Sequence, residues 1–268
     1  DFGSAVVVGV GQPYAEATLC LSQREPHRCL SILAPYLNEM LPADQHVQAV
    51  LDVIRHQKMP VSIQPTPLSH GLAPVLVVPR IFEPQLCQAL MQYYQEKGGS
   101  ESGFMREVNG KTVGINDPNR KRRYDCEITH EMLKDACMHR IHDRLAPEIQ
   151  KAFQFKATRI ERYIVACYDS TTGGYFKSHR DNTTKGTAHR KFAVSLNLNT
   201  GEYTGGCLRF PEFGPQEYTA PAGGAVVFSC SLLHEATPIT SGVRYVFLPF
   251  LYDDHAAEIR QKNKHHIA

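Results

Sequence analysis

The 268-residue sequence predicts an α+β protein: a jelly roll of short strands with supporting helices, preceded by a small α/β unit. Three observations carry this expectation. Beyond Phe155, short runs rich in β-branched and aromatic residues alternate with Gly, Pro and Asn, the texture of a sandwich or jelly roll. Ahead of that region, three stretches repeat apolar residues at helical spacing. Finally, Pro60, Pro65, Pro67 and Pro74 crowd one segment, which disfavours both helix interior and central strand and marks a boundary.

In chain order, residues 1–58 form the small unit. Ala5–Val10 reads as a buried strand, followed by helices over Cys29–Leu41 and Asp44–Gln57 with Pro42 between them. The second helix carries Val47, Val50, Leu51 and Ile54 on one face. Residues 59–74 are the Pro-rich linker, 75–254 the main domain and 255–268 a C-terminal tail. Within the main domain, Pro74–Pro79 predicts a strand. A helix opens at Glu83-Pro84, shows Leu86, Leu90, Tyr93 and Tyr94 on one face, and stops at Gly98-Gly99. Gly98–Tyr124 has no clear period and reads as a lid or binding loop; its basic run, Arg120 to Arg123, either favours an acidic partner or keeps a solvated loop soluble. Glu131–Leu145 predicts a helix with Leu133, Cys137, Ile141 and Leu145 every four residues, leaving His139 and His142 on the surface. Strands are then expected at 158–168, 191–198, 207–210, 216–219, 225–229 and 243–252.

Composition narrows the function. Twenty-nine basic against 27 acidic residues give a net charge of +2, so no global field draws in nucleic acid or an anionic membrane. Ala5–Val10 is too short for a signal peptide and lacks its basic start, and no apolar run reaches spanning length. The eight cysteines form no CxxC pair, which fits free thiols in a reducing cytoplasm better than disulfides or structural zinc.

Chemistry concentrates in four residues. His179 and Asp181 stand two apart, the spacing that puts side chains on one face of a strand. His234 follows 53 residues after Asp181 and supplies a third ligand. Two neutral imidazoles and one carboxylate, without thiolate, make the facial set that holds Fe(II) with open positions; zinc in a hydrolase can use the same ligands, with Glu235 the nearby general base. Ten residues beyond His234, Arg244 interrupts an apolar strand, where a guanidinium needs an anion. His189 competes as third ligand, but its basic neighbours disfavour a cation.

This order of residues resembles the Fe(II)- and 2-oxoglutarate-dependent dioxygenases, and the prolyl 4-hydroxylase-like branch in particular. Val165-Ala-Cys-Tyr168, Thr172-Gly-Gly-Tyr175, His179-Arg-Asp-Asn182, Leu196-Asn197 and Gly205 to Phe210 all look like that branch, in the same order. The resemblance implies a double-stranded β-helix, metal ligands His179, Asp181 and His234, and Arg244 and Tyr168 on the distal carboxylate of 2-oxoglutarate. It also implies O2 as oxidant, ascorbate as reductant, a loop over the site, and hydroxylation of a prolyl or other residue of a polypeptide. A free amino acid or small metabolite is the other substrate class. Relatives often carry tyrosine where Ser195 stands, which puts the contacts of that strand in question and leaves more room. Residues 1–58 weakly resemble the end of a thioredoxin-like peroxidase domain, which raises a second reading, a redox-linked sensing or binding module with little turnover.

Overall fold

In the computed structural model, residues 72–267 are described. The expected small unit over 1–58, with its peroxidase-like remnant, and nearly all of the 59–74 linker lie outside the described residues.

Strand β1 (Leu76–Val78) leads into helix α1 (Pro84–Lys97), which Gly98 closes at φ 73°, its N–H donating to Tyr94 O at 2.8 Å. Next come β2 (Ser100–Glu101), the hairpin β3 (Phe104–Val108) and β4 (Lys111–Ile115), then β5 (Lys121–Arg122) and β6 (Tyr124–Glu127). Helix α2 (Glu131–Arg140) continues through a widened turn at 141–145 into α3 (Ala146–Phe153). The remaining strands are β7 (Arg159–Glu161), β8 (Ile164–Asp169), β9 (Tyr175–His179), β10 (Phe192–Asn197), β11 (Thr204–Gly205), β12 (Leu208–Arg209), β13 (Glu217–Tyr218), β14 (Ala225–Ser229), β15 (His234–Ala236), β16 (Ile239–Ser241), β17 (Val243–Phe247) and β18 (Phe250–Tyr252). Helix α4 (Asp254–Asn263) follows.

Two antiparallel sheets face each other. The larger runs β1-β14-β10-β17-β8-β6-β2, with β18 joining β10 to β7; the smaller runs β13-β12-β15-β9-β5. Side-chain alternation assigns each strand of the larger sheet two jobs. Val165, Val194, Leu196, Val227 and Phe247 point outward and pack under Leu86, Leu90, Cys137, Leu145 and Ile149 of the helices. From the same strands, Ala166, Tyr168 and Val246 point inward against Phe176 and Ala236 of the smaller sheet. Ala193, Val226 and Phe228 likewise meet Leu208 and Phe210. The inward face therefore holds small residues and polar groups, and the space they leave becomes the site.

Several expectations need correction. Residues 98–124 are not an unstructured lid: they supply β2 to β5, and the Asn109-Gly110 turn has φ of 51° and 75°, the doubly left-handed geometry of a tight hairpin. Nor is the basic run merely solvated, because Lys121 and Arg123 are each 6% exposed. The strand expected at 158–168 breaks at Arg162, whose φ is 68°, and the one at 243–252 breaks at Leu248-Pro249. The expected tail is instead helical: Asp253 accepts the Ala256 N–H at 2.7 Å to start α4, and Lys111 Nζ reaches His265 O at 2.7 Å. His139 and His142 are exposed.

Candidate active site

β9 ends at His179, so Asp181 sits in the turn just past it and not on the strand. Its backbone N–H donates to Cys230 O at 3.0 Å, which fixes that turn against the chain leading to β15. β15 pairs with β9 in a register that sets His234 directly opposite His179. One ligand atom from each of His179, Asp181 and His234 then lies within 4.8 Å of the others.

The imidazoles are oriented for a shared cation. His179 Nδ1 lies 2.8 Å from Lys177 O and His234 Nδ1 lies 3.0 Å from Leu232 O. A carbonyl accepts only, so each Nδ1 carries the proton and each Nε2 presents a lone pair, the arrangement metal-binding histidines adopt. Both Nε2 atoms face Asp181, at 3.5 Å from Oδ1 and 3.4 Å from Oδ2. Phe176 stacks on the His179 ring with centroids 3.5 Å apart. Burial pushes the His234 pKa down to about 4, with His179 adding to the effect and Asp181 opposing it, so the imidazole is neutral at neutral pH. Burial raises the Asp181 carboxyl, but the two imidazoles and Arg190 outweigh it and hold it well below the usual carboxylate range. Neutral nitrogens and an ionised oxygen donor fit a divalent metal ion.

The triad opens on a cavity of 510 Å³ that Tyr168 and Arg244 also line. Arg244, 3% exposed, faces Tyr168 across the β17–β8 pair, with its Cζ 5.3 Å from the ring centroid. Its Nη2 donates to Ser195 Oγ and Asn197 Oδ1, both at 2.8 Å. Ser195 is thus a guanidinium partner and not simply spare room. Neither acceptor is charged, so the cation is held in place without being neutralised. The Tyr168 hydroxyl accepts from Arg123 Nη1 at 3.4 Å and keeps its own proton to donate. Behind Arg244, Gly206 has φ 65°, and a Cβ there would stand 2.3 Å from Ile239 Cδ1 and 3.0 Å from Arg244 Cδ. Gly206→Ala is expected to cost about 1–3 kcal/mol in a denaturant titration, through left-handed strain and displacement of these neighbours.

His189 is not at the triad. It is buried and bonds Glu161, which also accepts from Arg190 Nη2 at 2.8 Å; Arg190 Nη1 in turn reaches Asp181 O at 3.4 Å. Burial raises the Glu161 pKa, but the His189 hydrogen bond and the Arg190 charge win and bring it down from 4.5 to about 2. A depressed carboxyl contributes stability above its unfolded pKa and loses it as pH falls through the folded one. Glu161→Gln is therefore expected to be less stable than wild type above about pH 4.5, with the gap in urea midpoint closing as pH falls towards 2. Glu235, the base a hydrolase would need, is turned away: it accepts from Ser178 Oγ at 2.6 Å and lies 3.7 Å from Arg209.

Sequence reasoning did not single out Arg162 or Arg190. Both are cavity-lining cations; Arg162 falls inside the stretch expected to be one strand, and Arg190 stands next to His189 in a basic loop. Lys121 and Arg123 were signalled only as part of a charge run.

A two-sheet jelly roll sets two histidines and a carboxylate, a donor set for a single metal ion, on a cavity that a buried arginine also lines. Residues 163–252 match the family model of the 2OG-Fe(II) oxygenase superfamily. A PKHD-type hydroxylase of Methylobacillus flagellatus is 35% identical over 80 residues, covering 27% of this chain and 35% of the relative. Another, from Pseudomonas fluorescens, is 32% identical over 90 residues, covering 31% of this chain and 39% of the relative. The chain thus spans about two fifths or less of the length of these relatives. A Pseudomonas putida prolyl-4-hydroxylase shares the fold at TM-score 0.51 and 18% identity, over 67% of this chain and 92% of that one.

Proposed function

We propose that the protein is an Fe(II)- and 2-oxoglutarate-dependent hydroxylase acting on an unactivated C–H bond of a prolyl or other residue in a polypeptide. One observation carries the reading: both histidines point Nε2 at the Asp181 carboxylate, on a cavity that also holds a buried arginine with only neutral partners. In this reading His179, Asp181 and His234 hold the iron. Arg244 pairs its guanidinium with the distal carboxylate of the co-substrate, and Tyr168 donates its hydroxyl there. When bound, iron would activate O2, the oxidant, with 2-oxoglutarate giving two of the four electrons and the C–H bond the other two, and ascorbate would restore ferrous iron. The chain's part is orientation and dryness. Phe176 and Phe228 wall the histidines, and the Nδ1–carbonyl bonds stop the rings from turning. The alternation of Ala193, Ser195 and Asn197 leaves the β10 side of the cavity open for the co-substrate. Free buried thiols such as Cys167 and Cys230 suit a cytoplasmic setting.

The test is succinate formation by the full chain with Fe(II), 2-oxoglutarate and O2, scored against omission of iron. Iron-dependent succinate is expected, rising when a peptide substrate is supplied. Its absence under every condition would sink the reading.

A further inference from the structure

Among the described residues, eight basic side chains line the cavity, against a single carboxylate, Asp181. Three of them, Lys121, Arg123 and Arg162, gather about one carboxylate behind the wall, Asp125. Arg123 makes a two-pronged pair with it at 2.7 Å for each prong, and Arg162 Nη2 lies 3.2 Å away. Among the described residues Lys121 Nζ has no carboxylate of its own: it donates to Ser102 Oγ at 2.7 Å and Gly103 O at 2.6 Å, and Ser102 bonds Asp125. The cluster thus sets three basic side chains about one carboxylate, with Lys121 and Arg123 almost fully buried.

Buried like charges short of counterions are costly, and Lys121 and Arg162 show it, whereas for Arg123 the Asp125 pair outweighs burial. Burial, then Arg123, pushes Lys121 down to about 6, and the same two causes bring Arg162 down to about 10. Arg162 also pays in its backbone. Its φ of 68° is the left-handed region, where a non-glycine residue persists only if the surroundings require it. The strained residue lines the cavity, and among the described residues its Nε and Nη1 make no hydrogen bond.

The co-substrate does not account for this cluster. The proposed function assigns one carboxylate of 2-oxoglutarate to the metal and the other to Arg244. Arg123 touches that assignment only through Nη1, which donates to the Tyr168 hydroxyl at 3.4 Å, while its Nε and Nη2 bond Asp125. The geometry points to a second oxyanion subsite, formed by Lys121, Arg123 and Arg162, that takes an anionic group carried by the substrate. A planar guanidinium and an ammonium together suit a carboxylate or a phosphate. The subsite rests on the oxygenase reading only in calling its ligand the substrate.

The test is calorimetry on the metal-free full chain carrying Arg244→Gln, which removes the co-substrate clamp, at constant ionic strength. The probes are acetate, inorganic phosphate and a short peptide amide with one glutamate; acetamide and the glutamine version of the peptide are the neutral counterparts. At least one anionic probe is expected to bind at least about tenfold more tightly than its neutral counterpart or, for phosphate, than chloride. Adding Arg162→Asn is expected to weaken that binding by about tenfold or more. Asparagine tolerates the left-handed backbone, so the fold is preserved, and thermal melting checks this. Arg162→Lys, which keeps the charge and loses the fork, is expected to fall between. Preference for the acidic peptide identifies an acidic side chain in a polypeptide as the source, and preference for acetate or phosphate a free small anion. Equal binding of charged and neutral probes, or none lost in Arg162→Asn, overturns the subsite. Because no turnover is read, anion binding without succinate formation would sink the oxygenase reading alone.

Discussion

Asp181→Ala is expected to abolish iron(II) binding and, with it, all 2-oxoglutarate turnover. Asp181 is the single carboxylate among the three convergent side chains, and burial keeps His234 neutral. Removing a partner that merely orients a ligand typically costs roughly 10- to 100-fold in metal affinity, and removing the charged ligand itself costs more. The turn should survive, because its anchor is the Asp181 backbone N–H on Cys230 O, which the substitution leaves in place. Each histidine also keeps its carbonyl partner. Anaerobic iron titration followed by calorimetry checks the loss, and a melting curve near that of wild type shows that the fold is intact. Asp181→Asn separates charge from shape, since it keeps the volume and one oxygen donor, and is expected to bind iron far more weakly than wild type. Wild-type affinity in either variant would remove this triad as the metal site.

The sequence made the triad legible through spacing and left its geometry hidden. His179 and Asp181 are close in the chain, but the strand ends between them, and it is a turn that brings the carboxylate back. That His234 would face His179 depends on the register of β15 against β9, a non-local pairing that no count along the chain supplies. Arg244 was readable because a lone cation in an apolar strand is conspicuous. Lys121 was not, since charged residues in polar stretches are almost always at the surface, and Arg162 was absorbed into a strand expected to run unbroken over 158–168. The positive φ of Arg162 leaves no trace in residue type. The β3–β4 hairpin escaped for a different reason. Arg106, Glu107 and Lys111 are exposed, so neither strand alternates, and the one available signal was the Asn109-Gly110 dipeptide at the turn.

Arg244→Ala is expected to leave iron affinity unchanged and to raise the 2-oxoglutarate requirement steeply. A guanidinium holding a carboxylate through two charged hydrogen bonds contributes about 1.5–3 kcal/mol for each, which is roughly a hundred- to ten-thousand-fold in apparent affinity. The substitution also strips the donor from Ser195 Oγ and Asn197 Oδ1, two buried acceptors. Some loss of stability should therefore accompany the change. Asn197 itself should hold its position, because its Nδ2 donates to Ala220 O at 3.0 Å and Thr219 Oγ1 at 3.1 Å on the far side. Arg244→Lys keeps the charge without the fork and is expected to retain part of the affinity. Succinate formation across a 2-oxoglutarate series, beside an independent iron titration, separates the two effects. The separation matters because Arg244 and the triad lie on different strands of facing sheets, β17 on one side and β9 and β15 on the other. A variant that lost iron would have disturbed the packing between the sheets, whereas one that kept iron and wild-type 2-oxoglutarate dependence would show that the co-substrate carboxylate lies elsewhere in the cavity.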